Sequence, residues 1–357
     1  MKYRIIRPSV NWLLVFILIA ALLEWQRGPA WMIFIASALA IIPLAGWLGR
    51  ATEHLAVHAG EGVGGLLNAT LGNTAELIIG LMALREGLYE VVKASLTGSI
   101  IGNILLVLGL SMLAGGLRYP EQHFSPMGAS LGATMLTLAA IGLVVPAAFA
   151  HLTLRERFPH TQELSAAIAL ILMLTYGISL LFSLRTHKHL FMGRAGELEG
   201  EAPWSLRKAI GVLIASAVGI AVCSEFLVGT VEETTRQLRL SEIFVGVIIV
   251  ALVGNAAEHS SAIFLARKNK MDLSLNIAIG SSLQIALFVG PLLVLLSYAF
   301  GPPMDLVFTT VEVLAVVVSV AIVDLVALDG RSHWFEGVQL LSVYLILAIV
   351  FYFLPHP

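Results

Sequence analysis

Two short stretches hold the residues best placed to do chemistry: Gly72-Asn73-Thr74-Ala75-Glu76 and Gly254-Asn255-Ala256-Ala257-Glu258. Each puts a carboxylate inside an apolar run long enough to cross a bilayer. A charge there costs at least about 2.5 kcal/mol, so an intramembrane acid is read first as functional. On a helix, Asn73 and Glu76 are three apart and share a face, as are Asn255 and Glu258. Gly72 and Gly254 permit close approach and loosen the helix, so that a carbonyl can turn inward. Two carboxylates, two amides and freed carbonyls make a set of hard oxygen ligands. That set suits Ca²⁺, which accepts six to eight oxygens in flexible geometry, better than Mg²⁺, which sheds water reluctantly. Zinc or copper would call for Cys or several His. Glu76 and Glu258 are therefore the expected metal ligands. The bland alternative makes them helix-end residues at the interface, but both have long apolar segments on either side.

Further polar groups fall at helical spacing. Ser99 and Asn103 are four apart beside Gly98 and Gly102, and Ser281, Ser282 and Gln284 occupy the matching segment beside Gly280. Either set could complete a coordination shell, or simply bind helices together, as small and amide residues do in membranes. Glu53 and Glu225 are candidate acids of two access routes, with interfacial solvation as an equal account of Glu53. Glu312, placed well inside its span, is a candidate relay or a paired structural acid; Asp324 is a further intramembrane acid. His259 sits about 100° round the helix from Glu258 and is expected to face a neighbour; its ordinary titration range would suit a proton step.

Two carboxylates in one dry site cannot both stay charged without compensation, and they should titrate as a pair. A divalent cation supplies that compensation. Binding the cation expels protons, and protonation expels the cation, which implies antiport through a single site.

The elements that must position these groups follow from composition. Of 357 residues, 58% are hydrophobic and 12% charged, against about 25% charged in soluble domains; mean hydropathy is +0.90. This is an all-α integral membrane protein, multi-pass, with the lipid bilayer as its medium. A net charge of −2 gives no sign of nucleic-acid binding, and the single Cys223 excludes an intrachain disulfide. The apolar run after Lys2, Arg4 and Arg7 lacks a small-residue cleavage site and reads as a retained helix. Segments of about 20 apolar residues predict eleven transmembrane helices, near 10–26, 30–58, 62–85, 88–115, 125–150, 162–183, 206–230, 241–266, 272–300, 304–327 and 333–354.

The chain repeats itself. An offset of 182 needs no gap from Gly72 to Ser99: Gly72-Asn73 falls on Gly254-Asn255, Glu76 on Glu258, Arg85 on Arg267, Gly98-Ser99 on Gly280-Ser281. Thr52-Glu53-His54-Leu55 similarly resembles Ser224-Glu225-Phe226-Leu227. The expected organisation is an extra N-terminal helix (1–28), a five-helix repeat (29–184), a connecting loop (185–205) and a second five-helix repeat (206–357). An odd number of helices per repeat inverts the second against the first, as in secondary transporters with a site at the repeat interface. Glu197, Glu199 and Glu201 in the loop read as a solvated linker, with a regulatory cation site as the alternative. With the N-terminus cytoplasmic, fourteen Lys and Arg fall on the cytoplasmic side and seven on the other, the expected bias.

Taken together, Leu66-Leu67-Asn68-Ala69-Thr70-Leu71-Gly72-Asn73-Thr74-Ala75-Glu76, Gly98-Ser99-Ile100-Ile101-Gly102-Asn103, Gly254-Asn255-Ala256-Ala257-Glu258-His259, Gly280-Ser281-Ser282-Leu283-Gln284 and Asp329-Gly330 with Trp334 and Glu336-Gly337 resemble the calcium/proton antiporter family of the calcium/cation antiporter superfamily. The resemblance covers nearly everything after the first span. It implies eleven helices in two inverted repeats and exchange of Ca²⁺ for H⁺ as transported ions, with no cofactor. It further implies ligation by Glu76 and Glu258 with Gly72 and Gly254 carbonyls, Asn73, Asn255, Ser281 and Gln284 near the ion, and gating by spans 2 and 7. Residence in the cell membrane of a prokaryote fits, and a homo-oligomer is compatible. A sodium/calcium exchanger is the nearest rival, although such proteins carry Gly-Thr-Ser-x-Pro-Glu/Asp around the acid. A Ca²⁺ channel would want an acidic ring on a pore axis, and no nucleophile–base pair suggests an enzyme.

Overall fold

A computed structural model describes residues 10–153, 160–187 and 202–354, with the side chains of residues 61, 62 and 153 left aside. The acidic segment Glu197 to Glu201 lies outside the described residues. The helices are α1 (Val10–Trp25), α2 (Ala30–Ala59), α3 (Glu61–Leu71), α4 (Thr74–Arg85), α5 (Tyr89–Gly116), α6 (Pro126–Thr153), α7 (Thr161–Thr186), α8 (Leu206–Gly229), α9 (Val231–Leu238), α10 (Glu242–Gly254), α11 (Ala256–Arg267), α12 (Met271–Ser297), α13 (Thr310–Val326) and α14 (Trp334–Tyr352). Among the described residues eight helices are long and apolar enough to cross a membrane, counting α3 and α4 as one.

Every expected segment contains helix, with three departures. The third and eighth are each broken in two at the motif. Gly72 ends α3 and Asn73 (φ −97°, ψ 31°) leaves helical geometry; Gly254 ends α10 and Asn255 (φ −89°, ψ 4°) does the same. The tenth begins late. Thr309 and Glu312 form a capping box, so the helix starts at Thr310 and Glu312 sits in its first turn rather than well inside. The short, charged α9 lies at 112° to α10, leaving the run of the chain before α10 crosses it.

The direction of each element follows from contacts at its ends. On one face, Gln122 Nε2 donates to Ala266 O at 2.8 Å, and Gln122–His123 (β1) pairs antiparallel with Arg331–Ser332 (β2). On the opposite face, Tyr89 Oη donates to Pro302 O at 2.8 Å, and buried Lys93 bridges to Asp305 at 2.7 Å and donates to Val307 O at 2.9 Å. Arg85 therefore ends α4 on the second face and Arg267 ends α11 on the first. The repeat-matched helices run in opposite senses, as an odd repeat requires.

Burial sorts the helices. The most hydrophobic stretch of α5 is 83% buried, whereas that of α7 is 17% buried. The outer face of α7 shows Leu170, Ile171 and Leu174, all more than half exposed, which suits a lipid-facing element. The core helices approach through glycines: a Cβ on Gly337 (α14) would lie 2.5 Å from Leu113 N and 2.6 Å from Gly109 O of α5. Gly337→Val should therefore lower the thermal stability of the purified protein by about 1–3 kcal/mol, the usual range for overpacking. Gly177→Val, at a position with nothing within 4 Å, should leave the melting temperature unchanged or raised.

Candidate functional site

Breaking a helix at Asn73 and Asn255 gives each motif a free turn, and the two turns face each other across the repeats. A methyl group built on Gly254 would lie 3.3 Å from Glu76 Cγ and 3.4 Å from its Oε1. One built on Gly72 would lie 3.8 Å from Glu258 Oε1 and 3.1 Å from Gln284 Oε1. Each carboxylate thus reaches over the glycine of the other repeat, and a side chain at either glycine would fill that space. The break at Gly72 also diverts a carbonyl: Tyr176 Oη donates to Ala69 O at 2.9 Å.

The amides lock this crossing reciprocally. Asn255 Nδ2 donates to Ser99 Oγ at 2.9 Å, and Ser281 Oγ donates to Asn73 Oδ1 at 3.1 Å. The two residue pairs exchange under the 182-residue offset, with asparagine the donor in one and serine the donor in the other. Three asymmetric additions complete the network. Asn73 Nδ2 donates to Gln284 Oε1 at 2.5 Å; Asn103 Nδ2 donates to Ser281 Oγ at 2.9 Å; and His259 Nε2 lies 3.1 Å from Asn103 Oδ1. Because the Asn103 amide nitrogen is spent as a donor, its Oδ1 accepts, and His259 carries its proton on Nε2.

A cavity of about 1420 Å³ reaches this point from the face of Gln122 and Lys270. Its wall includes Glu76, Glu258, Gly72, Gly254, Ser281 and Gln284, together with the charged Arg50, Glu53 and Lys270. Asn73, Asn255, Ser99, Asn103 and His259 do not line it; they are buried behind the wall. Glu258 Oε2 is buried and has no hydrogen-bond partner, and the Ser281 hydroxyl stands beside the same carboxyl. Among the described residues no group of three or more His, Cys, Asp or Glu could hold a metal. A cation here would be held by two carboxylates completed by neutral oxygens and water, a donor set suited to Ca²⁺ and too poor in nitrogen and sulfur for zinc.

The remaining candidates separate. Glu53 lines the cavity, while Glu225 is exposed and off its wall. Glu312 accepts from Thr309 Oγ1 at 2.7 Å, Thr309 N at 2.9 Å and Thr97 Oγ1 at 3.3 Å, on the closed side. Asp324 accepts from Thr137 Oγ1 at 3.2 Å in a separate groove between α6 and α13. Sequence reasoning missed the buried Lys93, and it missed the contact between the connecting loop and α2, where Trp204 stacks on His54 with centroids 4.2 Å apart and donates its backbone N–H to His54 Nδ1 at 3.3 Å.

Comparison with known proteins fits this architecture. A family model described as sodium/calcium exchanger protein matches residues 29–185 and 208–353. The chain belongs to that family. It is 45% identical to a Ca²⁺/H⁺ antiporter of Synechocystis sp., over 97% of this chain and 96% of that protein. It is 46% identical to the Ca²⁺/H⁺ antiporter ChaA of Bacillus subtilis, over 94% and 95%. A solved structure, native YfkE, superposes with a TM-score of 0.85 at 41% identity, covering 97% of this chain and all of that one.

The two serines differ in one respect that binding can read: Ser281 lines the cavity and Ser99 does not. Ser281→Ala should weaken Ca²⁺ binding about ten- to a hundredfold, the scale of one hydrogen bond to a charge. Ser99→Ala should weaken it less. Calorimetric titration of the purified variants measures both.

Proposed function

We propose that this chain is a secondary transporter that exchanges Ca²⁺ for H⁺ by alternating access through the crossing of the two broken helices. The observation that carries the reading is the pair of carboxylates from opposite-running repeats, one of whose oxygens is buried without a partner at the blind end of a cavity. Ca²⁺ and H⁺ are cargo. The ion is held by Glu76 and Glu258, with cavity-wall oxygens of Ser281 and Gln284 and the carbonyls of Gly72 and Gly254 completing its shell. Asn73, Asn255, Asn103 and Ser99 hold those groups in place from behind. The dividing points at residues 28, 184 and 205 separate the extra helix, the two repeats and the connecting loop.

The cycle follows from the cost of buried charge. Two unscreened carboxylates in a dry site are too costly to occlude. The site can change sides when Ca²⁺ neutralises them or when protons do, and each state excludes the other. Glu53 stands on the route from the open face, and Glu225 and Glu312 belong to the opposite side. His259 fixes Asn103 rather than facing the ion. The open face is cytoplasmic, the N-terminus lies on it, and the protein resides in the cell membrane of a prokaryote. The similarity of the chain to proteins named Ca²⁺/H⁺ antiporters supports protons as the counter-ion, as does Asn-Thr-Ala-Glu or Asn-Ala-Ala-Glu around each acid. The sodium-driven reading keeps the same site and differs only in the driving ion.

Proteoliposomes with an imposed pH gradient should accumulate Ca²⁺, and an imposed Na⁺ gradient alone should not. Glu76→Gln and Glu258→Gln should each abolish the uptake. Flux that follows Na⁺ and ignores pH would establish the rival. A second measurement tests the competition directly: Ca²⁺ affinity of the wild type should fall as pH is lowered, because protons and the cation claim the same oxygens, and this fall should be shallower in each glutamine variant, which keeps a single titrating carboxylate.

A further inference from the structure

The closed face is sealed by backbone rather than by bulky side chains. A Cβ on Gly98 (α5) would lie 2.0 Å from Val247 O of α10, and one on Gly246 (α10) would lie 2.6 Å from Ala94 Cβ, 3.0 Å from Val91 O and 3.2 Å from Ser95 N. These are contacts only glycine allows. They press the first half of α5 against α10 on the side of the carboxylates away from the cavity. Val91, Ala94 and Gly98 are all buried, and Ser95 is half-buried.

Under the 182-residue offset, Val91, Ala94, Ser95 and Gly98 correspond to Leu273, Asn276, Ile277 and Gly280 on α12. All four of those residues line the open cavity. Gly280 has nothing within 4 Å of a built Cβ. The partner surface has its counterpart too: Gly246-Val247 corresponds to Gly64-Gly65 on α3. In this structure Gly64 packs on α2, with a built Cβ 2.3 Å from Ala56 O, and the Leu184 side chain, from the end of α7, occupies the space at Gly65, 2.5 Å from a built Cβ. One face of the molecule thus has a closed seam, and the other has both halves of the same seam, apart.

We infer that Gly64, Gly65 and Gly280 form the second gate of the transport cycle: α3 closes on α12, with Gly64 against Asn276 and Ile277 and Gly65 against Gly280, as the α5–α10 seam parts. In that step Leu184 leaves Gly65, and Gly64 parts from Ala56 of α2. This rests on the alternating-access reading above and adds to it the surfaces that meet. Packed helices of this kind have discrete arrangements rather than a continuum, so each seam is either formed or open. The glycines of α3 and α12 are positioning residues: they touch no ion, and they determine whether the cavity can shut.

Two experiments test the seam. Gly280→Leu fits the open space of the present structure, so it should fold and bind Ca²⁺ as the wild type does. It should nonetheless slow exchange at least about tenfold, because the added side chain has no room when backbones meet. Flux within about twofold of the wild type would overturn the inference. In a Cys223→Ala background, Ser95→Cys, half-buried behind the α5–α10 seam, should react with an impermeant maleimide applied to the closed side of native membranes each time that seam parts. Adding Gly280→Leu should slow this labelling at least about tenfold, because α3 can no longer close on α12. Labelling at an unchanged rate in the Gly280→Leu background also overturns the inference. The labelling readout does not depend on the cargo. A wild type that moves no Ca²⁺ under a pH gradient would count against the proposed function and leave the seam to be judged by its own labelling.

Discussion

Everything in this molecule is arranged round the cost of keeping two carboxylates out of water. A charged group in the low-dielectric interior is tolerated only with compensation, and among the described residues no Lys or Arg pairs with Glu76 or Glu258, although Arg50 and Lys270 line the same cavity. The compensation available inside the protein is dipolar: helix ends, amides and hydroxyls. Breaking α3–α4 and α10–α11 at Asn73 and Asn255 points the start of a helix at each acid, since Glu76 and Glu258 lie in the first turns of α4 and α11, where a negative charge is favoured. The rest of the compensation must arrive from outside, as a cation or as protons. A site that lacks its own counter-charge is one whose contents can be exchanged.

The same break explains why the repeats need each other. Neither half-site is complete alone, because Glu76 reaches over Gly254, Glu258 approaches Gly72, and each motif asparagine is fixed by the serine of the other repeat. The crossing is symmetric in its first layer and not in its second. Gln284 stands where the other repeat has Gly102, Asn103 where the other has Ile285, and His259 where the other has Leu77. The α10 backbone also makes a π-helical turn at Val245–Val250, whereas α3 stays α-helical at the matching positions. These differences let one orientation of the crossing be preferred over its mirror, which a perfectly symmetric site would not do.

The part of this site written in local sequence was legible. The motif glycines and asparagines predict a loosened helix, the 182-residue offset predicts opposed directions, and the apolar runs place the elements. What sequence left open depended on which helix faces which. Asn103 and Gln284 could have been ligands or helix glue; the fold puts Gln284 on the wall and Asn103 behind it, because only the packing of α5 against α11 and α12 decides that. Glu312 was misplaced for a local reason: the Thr309-x-x-Glu312 cap was hidden inside an apolar run, so the helix was started too early. Lys93 carried no motif at all. Its role exists only because the connection before α13 folds back to offer Asp305 and the Val307 carbonyl.

A channel and a transporter could share the same pair of acids, so the distinction must lie elsewhere, in how the far side is closed. A pore gated by side chains can open by small rotamer changes. Here the barrier beyond the carboxylates is helix backbone held in contact at Gly98 and Gly246, buttressed near that face by the Lys93–Asp305 pair and the capped start of α13. Parting it requires α5 and α10 to move as bodies, and tight packing transmits such a movement instead of absorbing it. The carboxylates sit on α4 and α11, continuous through single broken turns with α3 and α10. Any displacement of α10 that opens the far side must therefore disturb the crossing itself. In the proposed cycle site and barrier are therefore coupled through one asparagine on each side, which ties the state of charge at the crossing to the state of closure of the two faces.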